Sequence, residues 1–180
     1  MTVDESATDT NTIDHDLTAA DVAWDIATIL PDGATPADLF DRADALADEL
    51  ASLRGRVGTL DAGELAEAMH TLAELQDLMS RAGYHAMLAF STATDDPACG
   101  AAMAAAQERS TAIGTKLIFI DLEWAAADDD HVAAVLADPR LDFCRHHLDN
   151  LRLSRPYLLS EAEETIVAEK SQTGFAAWTR

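Results

Sequence analysis

The chain has 180 residues, enough for one domain with a real core, or for a domain plus a tail. It is 48% hydrophobic but only 6% aromatic, and its 33 acidic residues against 12 basic ones give a formal charge of −21. So negative a surface repels phosphate backbones and anionic bilayers, which excludes nucleic acid and membrane as expected partners.

Ala and Leu dominate the apolar residues, and no alternating Val/Ile/Thr run is bounded by hairpin turns. The expectation is an all-α fold, a bundle of long antiparallel helices with shorter helices at its C-terminal end. Residues 1–17, "MTVDESATDTNTIDHDL", are acidic and offer almost nothing to bury, so they read as a disordered tail. In the following stretch Trp24, Ile26, Ile29 and Leu30 supply an anchor onto the body before the turn at "PDG".

"TPADLFDRADALADELASLRGR" predicts a helix. Thr35 can cap it, Pro36 suits its first position and Asp38 lies at the positive end of its dipole. Leu39, Ala43, Leu46, Leu50 and Leu53 fall on one stripe, and Gly55 and Gly58 fit the stop. A second helix opens at Asp61, with Glu64 placed for a capping box and Leu65, Met69, Leu72, Leu75 and Met79 as its stripe. Gly83 is a candidate kink, after which Tyr84, Met87, Leu88 and Phe90 continue the apolar face. Asp96-Pro97 starts a third helix reaching Ala127, with Met103, Ala106, Ser110, Ile113, Leu117, Ile120 and Trp124 as its seam. Ile118, Phe119 and Leu122 widen its second half, which predicts burial on two sides. Short helices follow in "DDDHVAAVLADP", in "RLDFCRHHLDNLRLSRP" with Leu141, Cys144, Leu148 and Leu151 inward, and in "LSEAEETIVAEK", capped by Ser160 with Glu163.

Little of this sequence carries catalytic chemistry. Asp142 and His146 are four apart and could share a helical face, but His147 and Asp149 point elsewhere, so this helix alone cannot build a three-ligand metal site. His70 reads as part of a solvated face among Glu67, Glu74 and Asp77, and His85 as an interior histidine near the bend. Cys99 and Cys144 sit in no ligand spacing, as in a cytoplasmic protein with two free thiols. No H-E-x-x-H, phosphate-binding glycine loop or G-x-S-x-G occurs, and none of the six histidines is followed by Glu. Arg152 and Arg155 form a candidate docking patch for carboxylates, competing with internal pairing to the chain's own acids. Trp24, Trp124 and Trp178 read as core or interface anchors.

"AWDIATIL", "TDDPACGAAM" and above all "LRLSRPYLLSEAEETIVAEKSQTGFAAWTR" resemble segments of the oligoendopeptidase F / thimet oligopeptidase family of zinc metallopeptidases. The last of these follows the family's Arg-x-x-Arg-Pro, Leu-Ser-Glu-x-Glu-Glu and Glu-Lys-x-x-Thr-Gly pattern. The resemblance implies an N-terminal helical domain over residues 18–174. It also implies a next helix cut short at 175–180, where Phe175 and Trp178 would pack on the domain that follows. Such a domain would help wall a channel admitting short unfolded peptides. The family's zinc, its ligands and its general base belong to a catalytic domain, so the resemblance gives this chain no catalytic residue, no metal and no cofactor of its own. It gives a partner: the catalytic metallopeptidase domain, in the same chain or a split one, met through a surface containing Phe175, Trp178, Arg152 and Arg155. A free-standing helical module that self-associates through exposed apolar faces is the reading from another class. A small metal protein using Asp142 and His146 is a third.

Overall fold

A computed structural model describes residues 25–31, 33–174 and 178. The expected tail, Trp24 and Phe175 lie outside these residues. Six α-helices are described: α1 (Pro36–Ala51), α2 (Ala62–Thr92), α3 (Pro97–Ala126), α4 (Asp129–Leu136), α5 (Arg145–Leu153) and α6 (Glu161–Thr173), with 3-10 turns between them and no strand among the described residues. The fold is all-α, as the composition predicts.

Local chemistry sets the helix starts. Thr35 and Asp38, Asp61 and Glu64, and Ser160 and Glu163 each form a reciprocal capping box at the heads of α1, α2 and α6. Asp96 and Asp128 cap α3 and α4 through their side chains. Asp138 caps the 3-10 turn Pro139–Leu141 and also pairs with Arg140. Thr35 donors hold the Asp38 carboxyl below its ordinary range, the Glu64 and Gly63 amides do so for Asp61, and Ser160 does so for Glu163. Hydrogen bonds from the Arg140 side chain and amide bring Asp138 down to about 2.

A carboxyl whose folded pKa is depressed adds stability above its unfolded pKa, and that stability fades as pH falls through the folded value. The caps therefore hold fully above pH ~4 and are lost progressively toward pH ~2. Protonating the chain's many other acids relieves self-repulsion over the same range and acts in the opposite sense. The melting temperature is expected to fall below pH ~4 despite that relief. The Asp138→Asn chain should fall less steeply between there and pH 2, and equal slopes for the two chains would show that this cap contributes nothing.

Helix α1 runs antiparallel to α2 and parallel to α3. Arg42 pairs with Glu74 and Arg56 with Glu64, while Asp41 meets Arg109 and Asp44 and Asp48 meet Lys116. The Lys116 ammonium lies 2.6 Å from Asp44 and 2.8 Å from Asp48, and these hydrogen bonds raise its pKa. The core is continuous from Leu39 to Leu148 and holds Trp124, Phe119, Leu50, Leu65, Ile113 and Leu141 at its best-covered points.

Two stripes differ from the sequence expectation. In α1 the buried set is Leu39, Phe40, Ala43, Ala47 and Leu50, with Leu46 and Leu53 at the margin. The stripe is turned because α1 packs against both α2 and α3, and Ala43 and Ala47, fully covered, let it approach closely. Helix α2 runs through Gly83 as one 31-residue helix, and its inward face there is Ala82 and Ala86. Tyr84 is 57% exposed and Met87 38%. They face outward because the last turns of α2 and the first of α3 extend past the start of α1, where two helices leave one side uncovered. The expected burial of α3's second half on two sides is present in Phe119, Ile120, Trp124 and Ala125.

Candidate functional site

The His/Asp cluster of the sequence does not assemble. Asp142 pairs with Arg145, three residues on, and the His146 ring nitrogen meets the Asn150 amide at 3.0 Å. His70 is exposed, as expected of a solvated face, and stacks there on Phe143, with ring centroids 4.1 Å apart and planes 8° from parallel. His85 is half-buried at the α1 side of the α2–α3 hairpin. His131 turns its Nε2 to the Leu60 carbonyl at 3.1 Å. Among the described residues no three His, Cys, Asp or Glu side chains are grouped to hold a metal ion. Burial pushes the Cys144 thiol up, and desolvation with the neighbouring Asp96 carboxylate does the same to Cys99, the reverse of an activated nucleophile.

The C-terminal third is organised by arginines that cap helix ends. Arg152 donates from Nη1 to the Trp124 carbonyl at 2.8 Å and from Nη2 to the Ala127 carbonyl at 3.0 Å. It also pairs with Asp129 and lies 6.0 Å over the Trp124 ring. Its side chain is only 14% exposed, so the internal role competing with docking is the one Arg152 fills. Arg155 pairs with Asp129 at 3.3 Å and keeps half of its side chain open. Arg145 acts likewise for α4, donating from Nε to the Leu136 carbonyl at 2.8 Å. Neither α3 nor α4 ends on a glycine, so these carbonyls need outside donors. Sequence reasoning missed this use of arginine, although the missing C-terminal glycines were a readable sign of it. Trp124 completes the joint by donating its indole N–H to the Leu148 carbonyl at 2.9 Å.

On this scaffold, α6 is attached from one side only. Arg54, stacked 4.3 Å over Phe119, pairs with Glu161 at the head of α6 and ties it to the end of α1. Glu123 accepts from the Gly55 and Val57 amides at 2.7 and 3.0 Å and fixes the turn from which Arg54 reaches. That turn carries Gly55 at φ +82°, a conformation other residues resist. Among the described side chains of α6 none is fully buried. In this C-terminal part of the described residues Leu153 (73%), Tyr157 (83%), Leu159, Ile166, Val167 and Trp178 (88%) are large apolar side chains left exposed. Beside them a groove of about 430 Å³ opens between the end of α3 and the α5–α6 connection, lined by Leu122, Leu158, Leu159 and Arg155 among others. Helix α6 also carries the acidic residues Glu161, Glu163, Glu164 and Glu169. Exposed apolar side chains and acidic residues thus share this end of the chain.

Comparison with known proteins bears on this same segment. The family model for oligopeptidase F, in its N-terminal-domain part, matches residues 123–180. The matched region contains the longest of the resembling stretches, and "AWDIATIL" and "TDDPACGAAM" lie outside it. No curated protein and no solved structure matches the chain. No helix among the described residues is long and apolar enough to cross a membrane.

Proposed function

From the match of residues 123–180 to the N-terminal-domain model of oligopeptidase F, we propose that this chain is a non-catalytic helical domain of a zinc metallopeptidase. Its work is to dock onto a catalytic domain and help shape the channel through which short peptides reach the metal. The observation that carries this reading is a coincidence in sequence. The exposed apolar residues of α5, α6 and their connection all fall inside the segment that matches the family. An acid-rimmed apolar face calls for a partner surface with an apolar centre and basic edges. A second copy of this chain suits it poorly, since each copy carries −21.

The test is binding of the purified chain to an oligopeptidase F catalytic domain that contains H-E-x-x-H. Two exposed aliphatic anchors contribute about 3 kcal/mol together, so replacing Ile166 and Val167 with Glu is expected to weaken binding by about 100-fold. The same variant should keep the melting temperature of the parent, because both side chains are more than half exposed. Alone, the chain is expected to leave a quenched peptide uncut with or without zinc. Chelator-sensitive cleavage by the chain itself would overturn the assignment. So would a defined dimer that ignores the catalytic domain, which is the signature of a self-associating interaction module.

A further inference from the structure

Helix α6 presents its small and polar side to the bundle. It lies antiparallel along α3, its head beside Phe119 and Leu122 and its tail beside Ala104, Glu108 and Thr115. Its half-buried side chains among those described are Glu164, Thr165, Ala168 and Ser171, while its large aliphatics, Ile166 and Val167, face away. Shortness does not explain this. Helix α4 has eight residues and buries Val132, Val135 and Leu136, and α5 has nine and buries Leu148. Nor do hydroxyl groups join the seam. Thr111 donates to the Gln107 carbonyl and Thr115 to the Thr111 carbonyl at 2.9 Å, each within α3. Thr165 donates to the Glu161 carbonyl and Ser171 to the Ala168 carbonyl at 2.8 Å, each within α6. At the tail a crevice of about 530 Å³ opens between the two helices, lined by the carboxylates Glu108 and Glu169 and by no cation.

We propose that α6 is a detachable helix, released from α3 about the connection 154–160 while α1–α5 stay folded. Among the described residues one ion pair joins α6 to the rest of the chain, Arg54–Glu161, and both side chains are close to half exposed. An exposed pair of this kind holds weakly. The seam between α1 and α3 carries three, Asp41–Arg109 and Lys116 with Asp44 and with Asp48. A seat of small side chains removes little apolar area from water, and a 13-residue helix standing alone is marginal. Opening therefore costs α6 its seat and much of its helix together. The connection suits a hinge. Arg152 fixes the end of α5 to carbonyls at the end of α3, whereas between Ser154 and Ser160 only Leu158 is half-buried and the rest is exposed. Elements with few buried apolar contacts open by themselves, as cooperative units, below the free energy of global unfolding. Release leaves Ile166 and Val167 approachable from any side and uncovers the flank of α3 around Thr111 and Thr115. The inference rests on the α3–α6 seam and not on the family match.

Amide hydrogen exchange in the full chain tests it. The α6 amides are expected to exchange at least ~100-fold faster than the buried turns of α2 and α3, at a rate that low urea barely changes. Arg54→Met removes the ionic tie and should speed α6 exchange about fivefold. Thr165→Val joins residues of similar helix propensity, makes the seat more apolar and should slow exchange about threefold. Arg42→Met removes the exposed Arg42–Glu74 pair between α1 and α2 and should leave α6 unchanged. Exchange of α6 in step with α2 and α3 would overturn the proposal, because α6 would then open only with the whole fold. Acceleration of α6 by Arg42→Met equal to that by Arg54→Met would do so for the same reason. Early exchange that neither Arg54→Met nor Thr165→Val alters would assign the opening to fraying of the helix itself, and would equally overturn it. The chain is measured alone, so this result and the binding test with a catalytic domain fail independently.

Discussion

Trp124→Ala is expected to destabilise the chain by about 3–5 kcal/mol, a large share of the roughly 5–15 kcal/mol typical of a domain. Trp124 is the largest fully buried side chain among the described residues, and it stands where α3 meets α5. Truncation opens a cavity bounded by the helix end and the Arg152 guanidinium, neither of which can collapse far, because Arg152 is bound to two carbonyls. Trp124→Phe keeps most of the apolar contact but loses the N–H bond to Leu148, and should cost about 1–2 kcal/mol. Urea denaturation checks both. The idea that this indole organises the joint fails if the alanine variant falls within about 1 kcal/mol of the parent.

The second large effect separates two neighbouring arginines. Arg152→Met keeps the apolar stem but removes the charged donors from the Trp124 and Ala127 carbonyls, and an expected loss of about 2–4 kcal/mol follows. Arg155→Met removes one exposed ion pair and should change stability by about 0–1 kcal/mol. Arg152→Lys should recover only part of the loss, because an ammonium cannot span two carbonyls as the planar fork does. Equal denaturation midpoints for the two methionine variants would refute the capping role. The contrast is informative because both arginines belong to the one family-like motif at 152–156 and were equal candidates for docking.

What the sequence makes legible is mostly local. Thr35, Asp61 and Ser160 announce their helices because a capping box is written within four residues. The heptad seam of α3 is readable because a helix covered along much of its length keeps the same face inward. The stripe of α1 is misjudged by a partial turn, since spacing alone does not say whether a helix lies on one neighbour or between two. Tyr84 and Met87 mislead for a related reason: periodicity carries an apolar face onward past the point where its third helix has stopped. The role of Arg152 is only half legible: the missing C-terminal glycines signal a need for outside donors, but its partners are backbone carbonyls 25 and 28 residues away, which have no side-chain signature to say which residue supplies them. The surface proposed for docking is signalled in the sequence only by the resemblance at 151–180, because the exposure of Ile166 and Val167 depends on which side of α6 packs, which spacing does not state.

The scarcity of lysine has a practical consequence. Lys116 and Lys170 are the chain's two lysines, and they stand in opposite situations. Lys116 is clasped by Asp44 and Asp48, which keep its amine protonated and its lone pair withheld, whereas Lys170 is exposed on α6, one helical turn beyond Ile166. Amine-directed acylation near neutral pH should therefore favour Lys170 over Lys116. A dye carried at Lys170 would stand one helical turn from Ile166, beside the surface proposed for docking, and would report when another surface arrives.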